Sequence, residues 1–213
     1  MEIEMMNDEN RQVALVTGGT RGIGFGCAVH LAAEGFVRHK PYHGVTLTAK
    51  GRTVALGMLR RHRLIELFLH RTLGIGWDEV DADAEVLEHA VSDRLIERIY
   101  EYLGRPQFDP HGAPIPTKDG LMEEQDGLVS LAEVPVGSMA ELRMVSDRDP
   151  GLLRFVASLG LRVGAVFEVV GHQPFKGPTT IRVVGPDARE KDAVVGHELA
   201  ASLSCLVLEG EVG

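Results

Sequence analysis

The chain has 213 residues, 44% of them hydrophobic and 25% charged, which is enough apolar material for one large core or two to three smaller ones and argues against wholesale disorder. A net charge of −9 speaks against a protein coated in nucleic-acid-binding surface, and two thiols without paired spacing, Cys27 and Cys205, speak against a disulfide framework or a cysteine-built zinc site. The opening residues MEIEMMNDEN are acidic and carry no signal-like apolar stretch, and no apolar run approaches the ~18 residues that span a bilayer, so a cytoplasmic protein without a membrane partner is expected.

In chain order, Gln12–Thr17 (QVALVT) is predicted as a buried strand, followed by the glycine turn Gly18-Gly19-Thr20-Arg21-Gly22-Ile23-Gly24 and a helix to about Glu34 that Gly35 stops. Phe36–Lys40 and Val45–Thr48 read as two short strands around Pro41-Tyr42-His43-Gly44. Thr48 suits the N-cap of a long helix to about Leu73, in which Val54, Met58, Leu59, Ile65, Phe68 and Leu69 recur at roughly helical spacing and which Gly74 ends. A second helix is predicted from about Asp78 to Val91. Ser92 caps a third, Asp93–Leu103, with Leu95, Ile96, Ile99 and Leu103 as an apolar stripe closed by Gly104. Asp109–Leu121, rich in Pro and Gly, reads as a linker-like turn. From Leu128 onward the pattern turns to short β-like runs, Ser138–Val145, Ala165–Val170, Thr179–Val184 and Ser204–Leu208, with one helix at about Pro150–Leu159: a small barrel is expected.

Charge is distributed unevenly. From Arg38 to Arg63 there are seven Lys or Arg and no acid, whereas from Asp78 to Asp93 there are seven acids and no Lys or Arg. Separate sites for an anion and a cation would give this pattern, and so would alternating solvated helix faces. In the acidic stretch and on the helix before it the spacing is more specific. His62 and Glu66 stand four residues apart on one helix face; Glu85, Glu88 and His89 follow the same rule on the next helix, with Asp81 one turn earlier. Two antiparallel helices that each present carboxylate and imidazole can enclose a divalent ion, and oxygen plus imidazole without thiolate suits Mn(II) or Fe(II). Solvated acids on a helix face remain the plainer alternative.

The stretch Arg60–Gly104, with its signatures RHRLIE and AEVLEHAVSD, and the DPHGAPIP run at Asp109–Pro116 are similar to the metal-binding and dimerization domain of the DtxR/MntR family of metal-dependent transcriptional repressors. The resemblance implies a metal site drawn from His62, Glu66, Asp81, Glu85, Glu88 and His89, and a homodimer seam along the third helix. Asp81 stands where iron-responsive members tend to have His, and Glu85 where they have Cys; Glu there is the manganese-responsive pattern, so Mn2+ is the expected cofactor, with Fe2+ next. Ser130–Gly210 resembles the FeoA, SH3-like domain attached to many such repressors, and Asp147 in VSDRDP is the matching position for a ligand lent by that domain, a surface acid being the other reading.

The N-terminus resembles two things. Leu31–Gly51 is similar to the end of a winged helix-turn-helix, the tail of the recognition helix and the wing, where Arg38, His39 and Lys40 would contact DNA phosphates. Arg11–Gly35, with TGGTRGIG, resembles the opening βα unit of a short-chain dehydrogenase. The rest of a Rossmann sheet and a Tyr-x-x-x-Lys pair are not found in the sequence, so no catalytic residue and no nucleotide site is assigned.

The expected architecture is therefore an orphan βα unit (1–35), a remnant wing (36–50), a mainly α metal-binding and dimerization domain (51–124) and a small SH3-like β-barrel (128–210). The expected function is a dimeric Mn2+- or Fe2+-responsive repressor acting on operator DNA. A dimeric metal-binding or interaction protein without DNA binding is the alternative, and an NAD(P)-dependent oxidoreductase the least supported reading.

Overall fold

A computed structural model describes residues 3–8, 11–16, 31–40, 44–123, 125–184 and 190–208. The chain divides into two compact units, Met1–Arg60 with Pro116–Leu121, and Arg61–Ile115 with Met122–Gly213. No described helix is long and apolar enough to cross a membrane.

The first unit holds a four-stranded antiparallel sheet in the order β1-β2-β4-β3, built from β1 (Ile3–Asp8), β2 (Arg11–Val16), β3 (Val37–Lys40) and β4 (Gly44–Leu47). The β3–β4 hairpin is the one read from sequence. Val37 and Val45 are its buried residues, with Leu31, Ala32, Phe36 and Leu47 packed against them. Strand β2 also falls where QVALVT placed it, but both its neighbours run antiparallel to it. A dinucleotide-binding βα unit works between parallel strands, so the pairing is not that of the resemblance. Strand β1 has no counterpart in the sequence pattern, and the glycine turn Gly18–Gly24 lies outside the described residues.

Helix α1 (Ala49–Leu73) starts and stops as its sequence asks. Thr48 Oγ1 accepts from the Gly51 amide at 3.1 Å and donates to the Gly35 carbonyl at 2.7 Å. Gly51 is required there, because a Cβ would lie 1.9 Å from the Phe36 carbonyl oxygen. At the far end Gly74 has φ +72°, and the Ile75 amide reaches back to the Leu69 carbonyl at 3.3 Å, a left-handed cap. The burial differs from the expected stripe: Val54 is half exposed, while Leu64 through Leu67 are buried in succession. This part of the helix is covered on several sides rather than along one face.

In the second unit α2 (Val80–Leu87) and α3 (Asp93–Tyr102) pack on α1 through a core of Leu64, Ile65, Leu67, Leu69, Val80, Ala84, Ile96, Ile99 and Ile115. Helix α2 is shorter than predicted, ending before Glu88, and a turn carries the chain to Ser92, whose hydroxyl caps α3 at the Leu95 amide. The β-module is a six-stranded antiparallel sheet in the order β5-β10-β6-β7-β8-β9: Leu128–Ser130, Ser204–Val207, Met139–Met144, Val166–His172, Thr179–Val184 and Glu190–Val195. Helices α4 (Pro150–Ser158) and α5 (His197–Ser202) accompany it. Asp149 caps α4 through the Gly151 amide at 2.7 Å, with Pro150 at the start of the helix, where no amide is needed.

Candidate metal centre

Helix α1 carries two of the five acids and imidazoles that converge in this unit's helical part. Four residues apart, His62 and Glu66 share a face, with His62 Nε2 3.5 Å from Glu66 Oε1. Asp81 Oδ1 from α2 lies 3.3 Å from the same nitrogen, and Glu88 Oε2 lies 2.9 Å from His62 Nδ1. Glu85, exposed on α2, brings a carboxylate oxygen within 4.8 Å of ligating atoms of His62 and Glu88. The set gathers around one imidazole. Burial on its own lowers the His62 pKa, but the neighbouring carboxylates of Glu66 and Glu88 outweigh it and push the value up to about 9. His89 stands apart: it is two-thirds exposed and touches the cluster only through Glu88, at 3.5 Å.

A second cluster shares Glu66 and uses groups from farther along the chain. Glu66, His111 and Asp147 each place a ligating atom within 4.8 Å of the other two. Glu66 and His111 are 0% and 1% exposed, and Asp147, just beyond β6, is half-buried. His111 sits in the DPHGAPIP turn, which Asp109 organises by accepting from the His111 and Ala113 amides at 2.8 and 2.9 Å. The Val145 amide donates to the His111 carbonyl at 3.0 Å, so the end of β6 both grips this turn and presents Asp147. Gly112 is obligatory: its φ is +87°, and a Cβ would stand 1.8 Å from the Arg143 carbonyl oxygen.

The electrostatics of this second cluster are unresolved by the protein's own groups. Both Glu66 oxygens, His111 Nδ1 and Asp109 Oδ2 are buried without a hydrogen-bond partner. Nδ1 lies 3.9 Å from Glu66 Oε1. His111 Nε2 lies 2.7 Å from the Trp77 carbonyl, which can only accept, so Nε2 carries a proton and, in the neutral ring, Nδ1 offers a lone pair. Burial, reinforced by repulsion from Glu66, pushes the Asp109 carboxyl up to about 6 against the pull of Arg63 and His111. Buried, unpaired acceptors converging on one point are costly as a structural device and fit a cation well. Every ligating atom is oxygen or imidazole nitrogen, and Cys205, buried in the β-module, belongs to neither cluster: burial pushes its thiol up to about 12.

His111 and Asp109 were not singled out from the sequence. The available signal was the Asp-x-His pair inside DPHGAPIP, a run that spacing rules read only as a turn. Of the proposed DNA contacts, Arg38 is exposed on β3; the side chains of His39 and Lys40 lie outside the described residues.

Comparison with known proteins finds relatives of both the helical part and the β-module. Residues 48–117 match the model of the iron dependent repressor metal binding and dimerisation domain, and residues 129–205 match the FeoA domain. The iron-dependent repressor IdeR of Mycobacterium bovis is 36% identical over 114 residues, 49% of this chain and 48% of that protein. The diphtheria toxin repressor of Corynebacterium efficiens is 28% identical over 149 residues, 66% of this chain and 65% of the relative. The chain thus spans about half the length of the curated iron-dependent repressors it matches. A solved manganese-dependent transcriptional repressor in complex with manganese superposes with a TM-score of 0.77 at 39% identity, covering 87% of this chain and 84% of that one. The chain belongs to the DtxR/MntR family of metal-dependent repressors.

Proposed function

We propose that the protein is a transcriptional repressor, not an enzyme, that responds to Mn(II), with Fe(II) the alternative cofactor, and controls metal-homeostasis genes in the cytoplasm as a homodimer on operator DNA. The observation that carries this reading is the set of buried lone pairs on Glu66 and His111 that no donor satisfies. Glu66, His111 and Asp147 would hold one ion; His62, Glu66, Asp81, Glu85 and Glu88 would hold another, with His89 beside them. A divalent cation supplies positive charge to carboxylates that otherwise repel, and a donor set of oxygen and imidazole favours the harder metals named for the relatives. Glu66 would serve both sites, which ties them to the same turn of α1.

Residues 51–124 would form the sensor and dimer seam, to which the exposed Leu95 and Tyr102 of α3 contribute, and residues 128–210 would lend Asp147. Residues 36–50 would meet DNA through Arg38, His39 and Lys40; residues 1–35 receive no role. If the DNA-competent arrangement of the dimer holds the donors together, metal affinity and operator affinity rise together by linkage. Fluorescence anisotropy on palindromic promoter DNA, with and without Mn(II), tests the output. Binding that appears only with Mn(II) supports repression, and its absence reduces the protein to a metal-binding dimer. Equilibrium dialysis of Mn(II) against wild type and Glu66→Gln tests the sensor; unchanged stoichiometry overturns the metal reading.

One observation favours the second reading, a metal-binding dimer without DNA binding. Strands β1 and β2 extend the β3–β4 hairpin into a four-stranded sheet, an arrangement foreign to a winged helix-turn-helix.

A further inference from the structure

We propose that Trp77 is a positioning residue that lets the β-module set the metal-binding tautomer of His111; this rests on the reading of Glu66, His111 and Asp147 as a metal site. Trp77 precedes α2 in sequence, yet its indole is 3% exposed within the core of the β-module, the cluster that contains Leu153, Val156 and Leu161. Its ring stacks on the His111 imidazole with centroids 5.9 Å apart and planes 25° from parallel, and the Arg162 guanidinium lies over the indole at 5.4 Å. Its main-chain carbonyl takes the Nε2 proton of His111 at 2.7 Å. One residue therefore joins the β-module core to the imidazole by side chain and by backbone.

The consequence is chemical. A neutral imidazole has one N–H and one lone pair, and which nitrogen carries which is decided by its partners. With the Trp77 carbonyl on Nε2, the lone pair is confined to Nδ1, the atom facing Glu66. Without that acceptor the proton is free to sit on Nδ1, where Glu66 would attract it and the lone pair would turn away from the site. Outer partners of this kind tune metal affinity by roughly 10–100-fold without being ligands. The β-module thereby acts on the centre twice, by presenting Asp147 and by seating the indole that orients His111.

The test uses the full chain as wild type, Trp77→Ala and Trp77→Phe. Two readouts are needed: the His111 tautomer by nitrogen-15 NMR without metal, and Mn(II) affinity by titration against the electron paramagnetic resonance signal of the free ion. Wild type is expected to show Nε2–H; Trp77→Ala a mixed or inverted tautomer with roughly 10–100-fold weaker Mn(II) binding at the His111 site. Trp77→Phe, which keeps a smaller aromatic ring in the core and gives up the unpartnered indole N–H, is expected to restore both. An Nδ1–H wild type overturns the proposal, as does a folded Trp77→Ala that keeps tautomer and affinity. If Trp77→Ala does not fold, Trp77→Phe decides: a changed tautomer in a folded Phe variant overturns the stacking account, and a retained one supports it. Should wild type bind no Mn(II), the metal reading fails by itself, while the tautomer in these variants still decides the role of Trp77.

Discussion

Around His62 the charges answer one another. Its two nitrogens face Glu66, Asp81 and Glu88, and the imidazole is driven toward the protonated form. Around His111 the groups are more deeply buried, its Nε2 proton is spent on a backbone carbonyl, and Glu66 and Nδ1 meet as acceptor against acceptor. The first cluster is able to persist as an ion-pair network in the metal-free protein; the second leaves a deficit of positive charge. The same residue types at similar separations therefore create different demands, and the difference lies in where the protons already are.

Replacing the shared residue should have the largest effect. Glu66→Gln is expected to weaken Mn(II) binding by more than roughly 100-fold, while raising metal-free thermal stability because the desolvation of the buried carboxylate and its repulsion of the Asp109 carboxyl outweigh its pairing with His62. Isothermal titration calorimetry and melting curves read the two signs, and a variant that loses affinity and stability together would show that Glu66 is satisfied by its neighbours.

Gly112→Ala separates the clusters. A side chain at φ +87°, in collision with the Arg143 carbonyl, should cost about 3 kcal/mol in denaturant unfolding and displace the His111 turn. The His62 cluster should keep its Mn(II); equal loss at both would mean that the two are one site.

The pH dependence sharpens the contrast. Because the folded His62 pKa is raised from 6.5 to about 9, stability from its ion pairs is full below pH 6.5 and is lost as pH rises toward 9. A metal at this cluster competes with that proton, so its affinity should rise across the same window, by at most about tenfold per pH unit. His62→Gln should flatten the profile, and a flat wild-type profile would contradict the pairing. The smallest effect is expected from Glu85→Gln, about tenfold or less in Mn(II) affinity, since Glu85 is exposed and water can take its place.

Much of this was legible in the sequence, for reasons local to the chain. Spacing of four residues placed His62 with Glu66 on one helix face, the Thr48 and Ser92 caps and Gly74 bounded α1 and α3, and β-like runs located four strands of the β-module within a residue or two. Local rules failed at the N-terminus, where a strand-like segment does not announce its partners: β2 was foreseen, but its antiparallel neighbours were not.

The pairing of His62 with Glu66 on one helix face, the feature most visible in the sequence, is determined by helical periodicity, whereas the packing of α2 against α1 brings Asp81 and Glu88 to it. What tertiary structure alone decided is the second cluster. His111 and Asp147 reach Glu66 from a turn and from the end of a strand, with no periodicity connecting them. Burial then decided which atoms lack a partner, and the Trp77 carbonyl decided which nitrogen of His111 holds the proton. Those properties depend on desolvation and on groups distant in sequence, so residue types and spacings alone do not contain them.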